Sequence, residues 1–361
     1  MSGLDSLLQR GVEEGVFPLA RLEVFHRGEH VLSTGNASKD CVFDLASVTK
    51  VMCTTALVLD QQLAIESQLQ RWLPTAKVQC SLTDLLFHRS GLPPYLIYFE
   101  DELKAHPALR TPAPEVELRA KVRTSVIDRV CASAPVAPNG SAAVYSDLGF
   151  ILLGAVLETA SGLPLDRLFA SRIATPLGLT AGFRRLSSAL PLPASFAPTQ
   201  TDRPREPAPG QEGMWSLAPL SGPHGQVDDD NAFCMDGVSG HAGLFGTALD
   251  VARFGQAMLD ERWFPSTPWA PDAVTPGSTR ALGFDTPSLE GASCGQRLGR
   301  AGKRGAIGHL GFTGTSVWID FDRQLVVALL TNRVALGRAN VRIRAFRPQV
   351  HDAVLDALGL Q

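Results

Sequence analysis

FDLASVTKVMCTTALVL, residues 43–59, is the stretch on which the reading of this chain turns. From Ser47 to about Ala64 it is apolar on nearly every side, so a helix built from it has no face for water and belongs in a core. Two polar groups break that pattern. If the helix starts at Ser47, Lys50 lies at i+3 on the same face, one turn on, where its amine can receive the serine hydroxyl proton. The helix N-terminus adds free N–H groups and a positive dipole end, both suited to a developing oxyanion. A lysine among apolar residues loses hydration, which lowers its pKa, so Lys50 is expected to be a neutral base.

Working outward, the S-x-x-K pattern alone is weak, because a capping serine followed by a solvated lysine satisfies it equally well. Two further motifs follow in order. Tyr145-Ser146-Asp147 sits within AAVYSDLGFILLG, ahead of a second apolar helix. Gly308-His309-Leu310-Gly311 precedes the strand-like run FTGTSVWIDF, and its glycines leave a strand edge clear for a substrate.

Together these segments resemble the serine β-lactamases and penicillin-binding proteins, with Ser47-Val48-Thr49-Lys50 in the place of the nucleophile motif. The Y-S-D segment resembles the Y-x-N of the class C enzymes and their esterase relatives, and G-H-L-G the strand that carries K-T-G or H-x-G. LLFHRSGLPPY (85–95) and GHAGLFGTALDVARF (240–254) resemble two more family segments. The resemblance covers most of residues 20–335. It implies an acyl-enzyme on Ser47, activation by Lys50 with Tyr145 assisting proton transfer, and an oxyanion hole from the backbone N–H groups of Ser47 and Phe312. Asp147, His309 and Gly311 are implied to contact substrate. Asp147 departs from the usual asparagine and cannot donate an amide N–H. His309 replaces a lysine, and a neutral imidazole anchors a carboxylate poorly, which leans toward a carboxylesterase-like enzyme for neutral esters, with a β-lactamase or a D-amino-acid amidase or peptidase as the alternative; Lys303, Arg304 or Arg333 could restore charge.

The implied fold is α/β of the α+β type. Residues 1–80 and 236–361 form a lobe with a central antiparallel sheet flanked by terminal helices. An inserted, mostly helical lobe spans 81–185, and a Pro-rich lid or insertion spans 186–235. Local patterns agree: a hairpin around Arg27-Gly28-Glu29, a Ser81/Asp84 capping box, a C-cap at Gly162, a helix over ALDVARFGQAML, and a last helix near 345–358.

Composition narrows the function classes. The chain has 361 residues, 45% hydrophobic and 19% charged, with a net charge of -3, which fits a folded domain without the basic excess that nucleic acid requires. No run reaches the length of a membrane span, no secretory leader is visible, and six scattered cysteines lack a C-x-x-C pair. The expectations are therefore a cytoplasmic chain with buried free thiols, a small ester or amide as partner, and no nucleic acid, membrane, cofactor or metal. Three rivals compete with this reading. Gly237-Val238-Ser239-Gly240-His241 approaches G-x-S-x-G but lacks the last glycine and a preceding strand. His224, Asp228, Asp229, Asp230 and His241 could ligate a divalent ion, although no helical i, i+4 pair is present. A binding or scaffolding protein could also keep this fold with its chemistry lost.

Overall fold

The run LVVALLT shows no polar alternation, and it forms the most buried strand of a large antiparallel sheet. The computed structural model describes residues 3–110, 116–188, 195–199, 225–261 and 269–360. Its strands are β1 (Ala20–His26), β2 (Glu29–Thr34), β3 (Phe43–Asp44), β4 (Gly182–Phe183), β5 (Leu244–Gly246), β6 (Arg280–Ala281), β7 (Phe284–Asp285), β8 (Ala306–Leu310), β9 (Ser316–Asp320) and β10 (Leu325–Thr331). Seven of them pair in the order β2-β1-β10-β9-β8-β7-β6, which brings the first and last segments of the chain side by side. A smaller sheet, β3-β5-β4, holds the strand that leads into Ser47.

The period of two along β9 and β10 gives each face of the sheet its own core. Leu325, Val327, Leu329 and Trp318 face the terminal helices Gly3–Glu13 and Ile343–Ala357, where Phe17 meets Phe346 edge-on at 5.3 Å. Val326, Ala328, Leu330, Val317 and Ile319 join the other core, with the helix Ala248–Leu259 and the helices of the inserted segment. That second core is continuous from the sheet to Leu148, Ile151 and Val126, so the sheet and the inserted helices share one interior.

The local signals appear where the residues place them. Arg27 and Gly28, both at positive φ, make the two-residue turn between β1 and β2. Ser81 and Asp84 form a reciprocal capping box, and Gly162 ends its helix in the left-handed conformation. All six cysteines are free and buried. Among the described residues no single helix is long and apolar enough to cross a membrane. Most of the expected 186–235 lid lies outside the described residues.

One element differs from expectation. The helix begins just after Ser47, and Lys50–Thr55 is π-helical, a local widening that is uncommon and often found at functional sites. Here it coincides with two side chains reaching across to one loop. Thr54 Oγ1 donates to the Gly240 carbonyl at 2.6 Å, and Lys50 Nζ to the His241 carbonyl at 3.0 Å.

Candidate active site

Ser47 stands at a sharp turn that buried hydrogen bonds hold from behind. Ala46, directly before it, has φ +47°, a conformation costly for a residue with a Cβ. The Asp44 carboxylate offsets this by accepting the Ala46 N–H at 2.8 Å and the Asp228 N–H at 2.7 Å. Thr313 Oγ1 donates to the Asp44 carbonyl at 2.7 Å, and Thr315 Oγ1 to the Leu45 carbonyl at 3.0 Å. Gly311 sits in this junction: a Cβ there would lie 2.0 Å from Thr315 Oγ1 and 2.6 Å from the Leu45 carbonyl oxygen. Its missing side chain therefore joins the end of β8 to the turn behind Ser47, a second reason for the glycine besides clearance for substrate.

Lys50 is fully buried. Its Nζ donates to Ser47 Oγ and to the His241 carbonyl, each at 3.0 Å, and forms an ion pair with Asp147 Oδ1 at 2.7 Å. Burial pushes its pKa down, but the Asp147 carboxylate and Tyr145 more than offset that, and the balance lies above the ordinary value. The neutral lysine expected from the sequence is thus corrected to an ammonium. An apolar helix signals dehydration; it does not reveal a carboxylate delivered from a distant helix. The close approach of the 240–241 loop depends on Gly240, where a Cβ would come within 2.1 Å of the Phe150 carbonyl oxygen.

Tyr145 joins this group. Its ring centroid lies 5.0 Å from Lys50 Nζ, and burial, only partly opposed by the Lys50 charge, raises its pKa so that it keeps its proton. His88, itself at φ +55°, fixes the segment: its Nδ1 accepts the Ser146 N–H at 3.0 Å and its ring packs, tilted by 38°, 4.6 Å from that of Tyr145. Ser146 then caps the helix Asp147–Ser161, which puts Asp147 at its first position beside Lys50. His309, on β8, lies 5.9 Å from the Tyr145 ring and donates its Nδ1–H to the Leu310 carbonyl. Burial, with Lys50 and Arg280 nearby, holds His309 well below the usual histidine range, and hence neutral.

Ser47, Tyr145, Asp147, His309, Gly311 and Phe312 all line one cavity of about 520 Å³. Lys50 lies behind its wall. The feature that the motifs do not show is the arginine content of the lining, which holds Arg280, Arg333, Arg338, Arg344 and Arg347. The acids of the lining already have partners: Asp147 with Lys50, Asp229 with His241, Asp285 with Arg280, and Asp228 with Arg338. Arg333 stacks 4.4 Å over the Phe312 ring and donates to the Arg338 and Asn340 carbonyls. Burial lowers its pKa to about 10 and that of Arg347 to about 9; both remain cations at neutral pH. The signal was the segment 333–347, which has five arginines and no acid.

The rival constellations resolve differently. Ser239 is fully buried, its Oγ 2.8 Å from His241 Nδ1, and cannot meet a substrate. His241 Nε2 lies 2.8 Å from Asp229 Oδ1, and despite burial this contact holds the Asp229 carboxyl well below the usual range. Asp228 and Asp230 flank Arg338. Ligand atoms of Asp147, Asp229 and His241 lie within 4.8 Å of one another, but the cation already against Asp147 is the Lys50 ammonium. His224 lies outside the described residues.

A fold of this topology, with a serine lining one cleft and a buried lysine behind it, defines a hydrolase of the serine β-lactamase and penicillin-binding-protein type. The chain belongs to the β-lactamase family, whose model matches residues 4–350. It is 30% identical over 321 residues to an N-acetylmuramyl-L-alanine amidase of Bacillus subtilis (strain 168), covering 81% of this chain and 68% of that protein. To a putative D-alanyl-D-alanine carboxypeptidase of Escherichia coli (strain K12) it is 27% identical over 326 residues, covering 82% and 70%. A penicillin-binding protein homologue from Caulobacter crescentus has the same fold, with a TM-score of 0.65 at 18% identity over 97% of this chain and 96% of that one.

Proposed function

We propose that the protein hydrolyses small amides or esters that bear a carboxylate, through an acyl-enzyme on Ser47. The observation that carries the reading is the 3.0 Å hydrogen bond from the buried Lys50 Nζ to Ser47 Oγ at the lining of the cleft. Ser47 Oγ attacks the carbonyl carbon as its proton leaves through Lys50, with the Tyr145 phenol steadying the developing charge. The N–H groups of Ser47 and Phe312, both residues of the cavity lining, are the donors for the oxyanion. Water then releases the acyl group.

The lean toward neutral esters rested on the uncharged His309. Arginines in the cavity lining weaken that argument, because a guanidinium pairs with a carboxylate in two parallel hydrogen bonds. The names of the amidase and carboxypeptidase relatives support the amide side of the reading. Short-chain ester hydrolysis is the second reading, favoured by the neutral His309 beside Tyr145.

The test compares wild type with Ser47→Ala on three substrates: a D-alanyl peptide, a chromogenic cephalosporin and a neutral aryl ester. The expected result is turnover of a carboxylate-bearing substrate above that of the neutral ester, lost in Ser47→Ala with the melting temperature retained. Turnover that survives in the alanine variant rules out the Ser47 assignment. Preference for the neutral ester selects the second reading.

A further inference from the structure

An ammonium cannot accept a proton, and the resting arrangement is that of an ammonium. Of the groups around Lys50 Nζ the Asp147 carboxylate is the nearest, an ion pair at 2.7 Å against hydrogen bonds of 3.0 Å to Ser47 Oγ and to the His241 carbonyl. We propose that Asp147 is the terminal proton acceptor of the acylation step, a catalytic role where the related motif carries an asparagine. As Ser47 Oγ bonds to the carbonyl carbon, its proton passes to Lys50 Nζ while Nζ passes one of its own to Asp147 Oδ1. This rests on the acyl-enzyme reading above.

The step balances. One O–C bond forms and the carbonyl π pair moves to oxygen as the oxyanion; the Ser47 O–H bond breaks. Lys50 ends with three hydrogens, as it began, and Asp147 becomes a neutral acid. Its negative charge is in effect transferred to the oxyanion, so the site's total charge is unchanged. When the leaving group departs, the proton returns through Lys50 to the departing nitrogen or oxygen. An asparagine at 147 can accept a hydrogen bond from Lys50 but cannot take this proton.

The surroundings leave no nearer acceptor. Tyr145 keeps its phenolic proton, and the Tyr95 phenol on the 93–95 loop is likewise held protonated by burial. Asp229 and His241 face Asp147 within 4.8 Å but are hydrogen-bonded to each other. His88, His309 and Arg280 pack around the Tyr145 ring. Arg338, nearby, is paired with Asp228 and Asp230.

The experiment measures the rate at which an alkyl fluorophosphonate labels Ser47 in the full chain between pH 6 and 10, read by intact mass. This probe demands removal of the same serine proton and requires no knowledge of the natural substrate. Wild type is compared with Asp147→Asn, Asp147→Glu and Lys50→Ala. The relay predicts that Asp147→Asn labels about 100-fold more slowly near pH 7, the lower range for loss of a general base. Asp147→Glu, which keeps a carboxylate, recovers at least about a tenth of the wild-type rate, the step of one pK unit in driving force. A base that must first lose its proton to solvent predicts the reverse. Without the carboxylate, Lys50 gives up its proton more readily, and Asp147→Asn labels faster near pH 7 than wild type. Labelling of Asp147→Asn as fast as wild type overturns the relay, as does a folded glutamate variant no faster than the asparagine one. Failure of wild type to label at Ser47 at any pH removes the acyl-enzyme reading, and this inference with it.

Discussion

Arg347 shows at the scale of one residue how function and stability pull apart. It is 4% exposed, donates to the Thr315 carbonyl at 3.3 Å, and its Nε has no hydrogen-bond partner within the described structure. A guanidinium held this way destabilises the free protein and is stabilised by an arriving anion, since a buried charge is costly until paired. Arg347→Met is therefore expected to raise KM for a carboxylate-bearing substrate by about tenfold or more, the scale of a charge-assisted hydrogen bond. Turnover of a neutral ester should be unchanged, and a urea melt should show equal or higher stability. His88 carries a second prediction at this scale. Asparagine keeps an acceptor for the Ser146 N–H and tolerates positive φ, whereas alanine does neither. We expect kcat to fall at least about tenfold in His88→Ala, equivalent to ~1.4 kcal/mol, and to be largely restored in His88→Asn, with KM little changed in either.

Among the elements, the junction between the end of β8 and the turn before Ser47 holds the site together. Gly311→Ala places a methyl against the Leu45 carbonyl and Thr315 Oγ1, and overpacking of this kind costs about 1–3 kcal/mol in chemical denaturation, with a larger loss of activity. Much of this level was legible in the sequence. The β1–β2 hairpin, the capping box at Ser81 and Asp84, the helix Ala248–Leu259 and the closing strands all announced themselves by period, cap or turn residue. The π-helical turn at Lys50 did not, because it coincides with contacts to Gly240 and His241, far along the chain. Nor did the ionisation of Lys50. Its helix reads as apolar, and the carboxylate that keeps it charged comes from the first residue of a different helix. Motif order located Ser47, Tyr145 and His309 in one cavity; the arginine cluster needed the fold to bring Arg333 and Arg347 into the same lining.

Across the whole molecule, buried histidines set the response to acid. His88, His309 and His351 are each pushed below the usual value chiefly by burial, His351 to about 3. The folded state therefore holds them neutral while the unfolded chain binds a proton below about pH 6.5. Each thus contributes a loss of stability on acidification of roughly 1.4 kcal/mol per pH unit below that point. Asp44, raised to about 7 by burial, works the other way and favours the folded state as pH falls from about 7 toward 4. Three groups against one predict a melting temperature that drops between pH 6.5 and 5. His351→Leu, which removes a ring with neither nitrogen hydrogen-bonded, should make that slope shallower. The same interior that neutralises these histidines encloses Lys50, so the proposed chemistry depends on the fold's ability to keep a buried lysine paired with a carboxylate that lines an open cleft. The most direct test of that account is to quench a reaction with a slowly hydrolysed, carboxylate-bearing cephalosporin in acid and map the acylated peptide by mass spectrometry. The account predicts a single acyl group on Ser47, absent in Ser47→Ala; turnover with no covalent adduct on the wild-type chain, or an adduct on another residue, would contradict it.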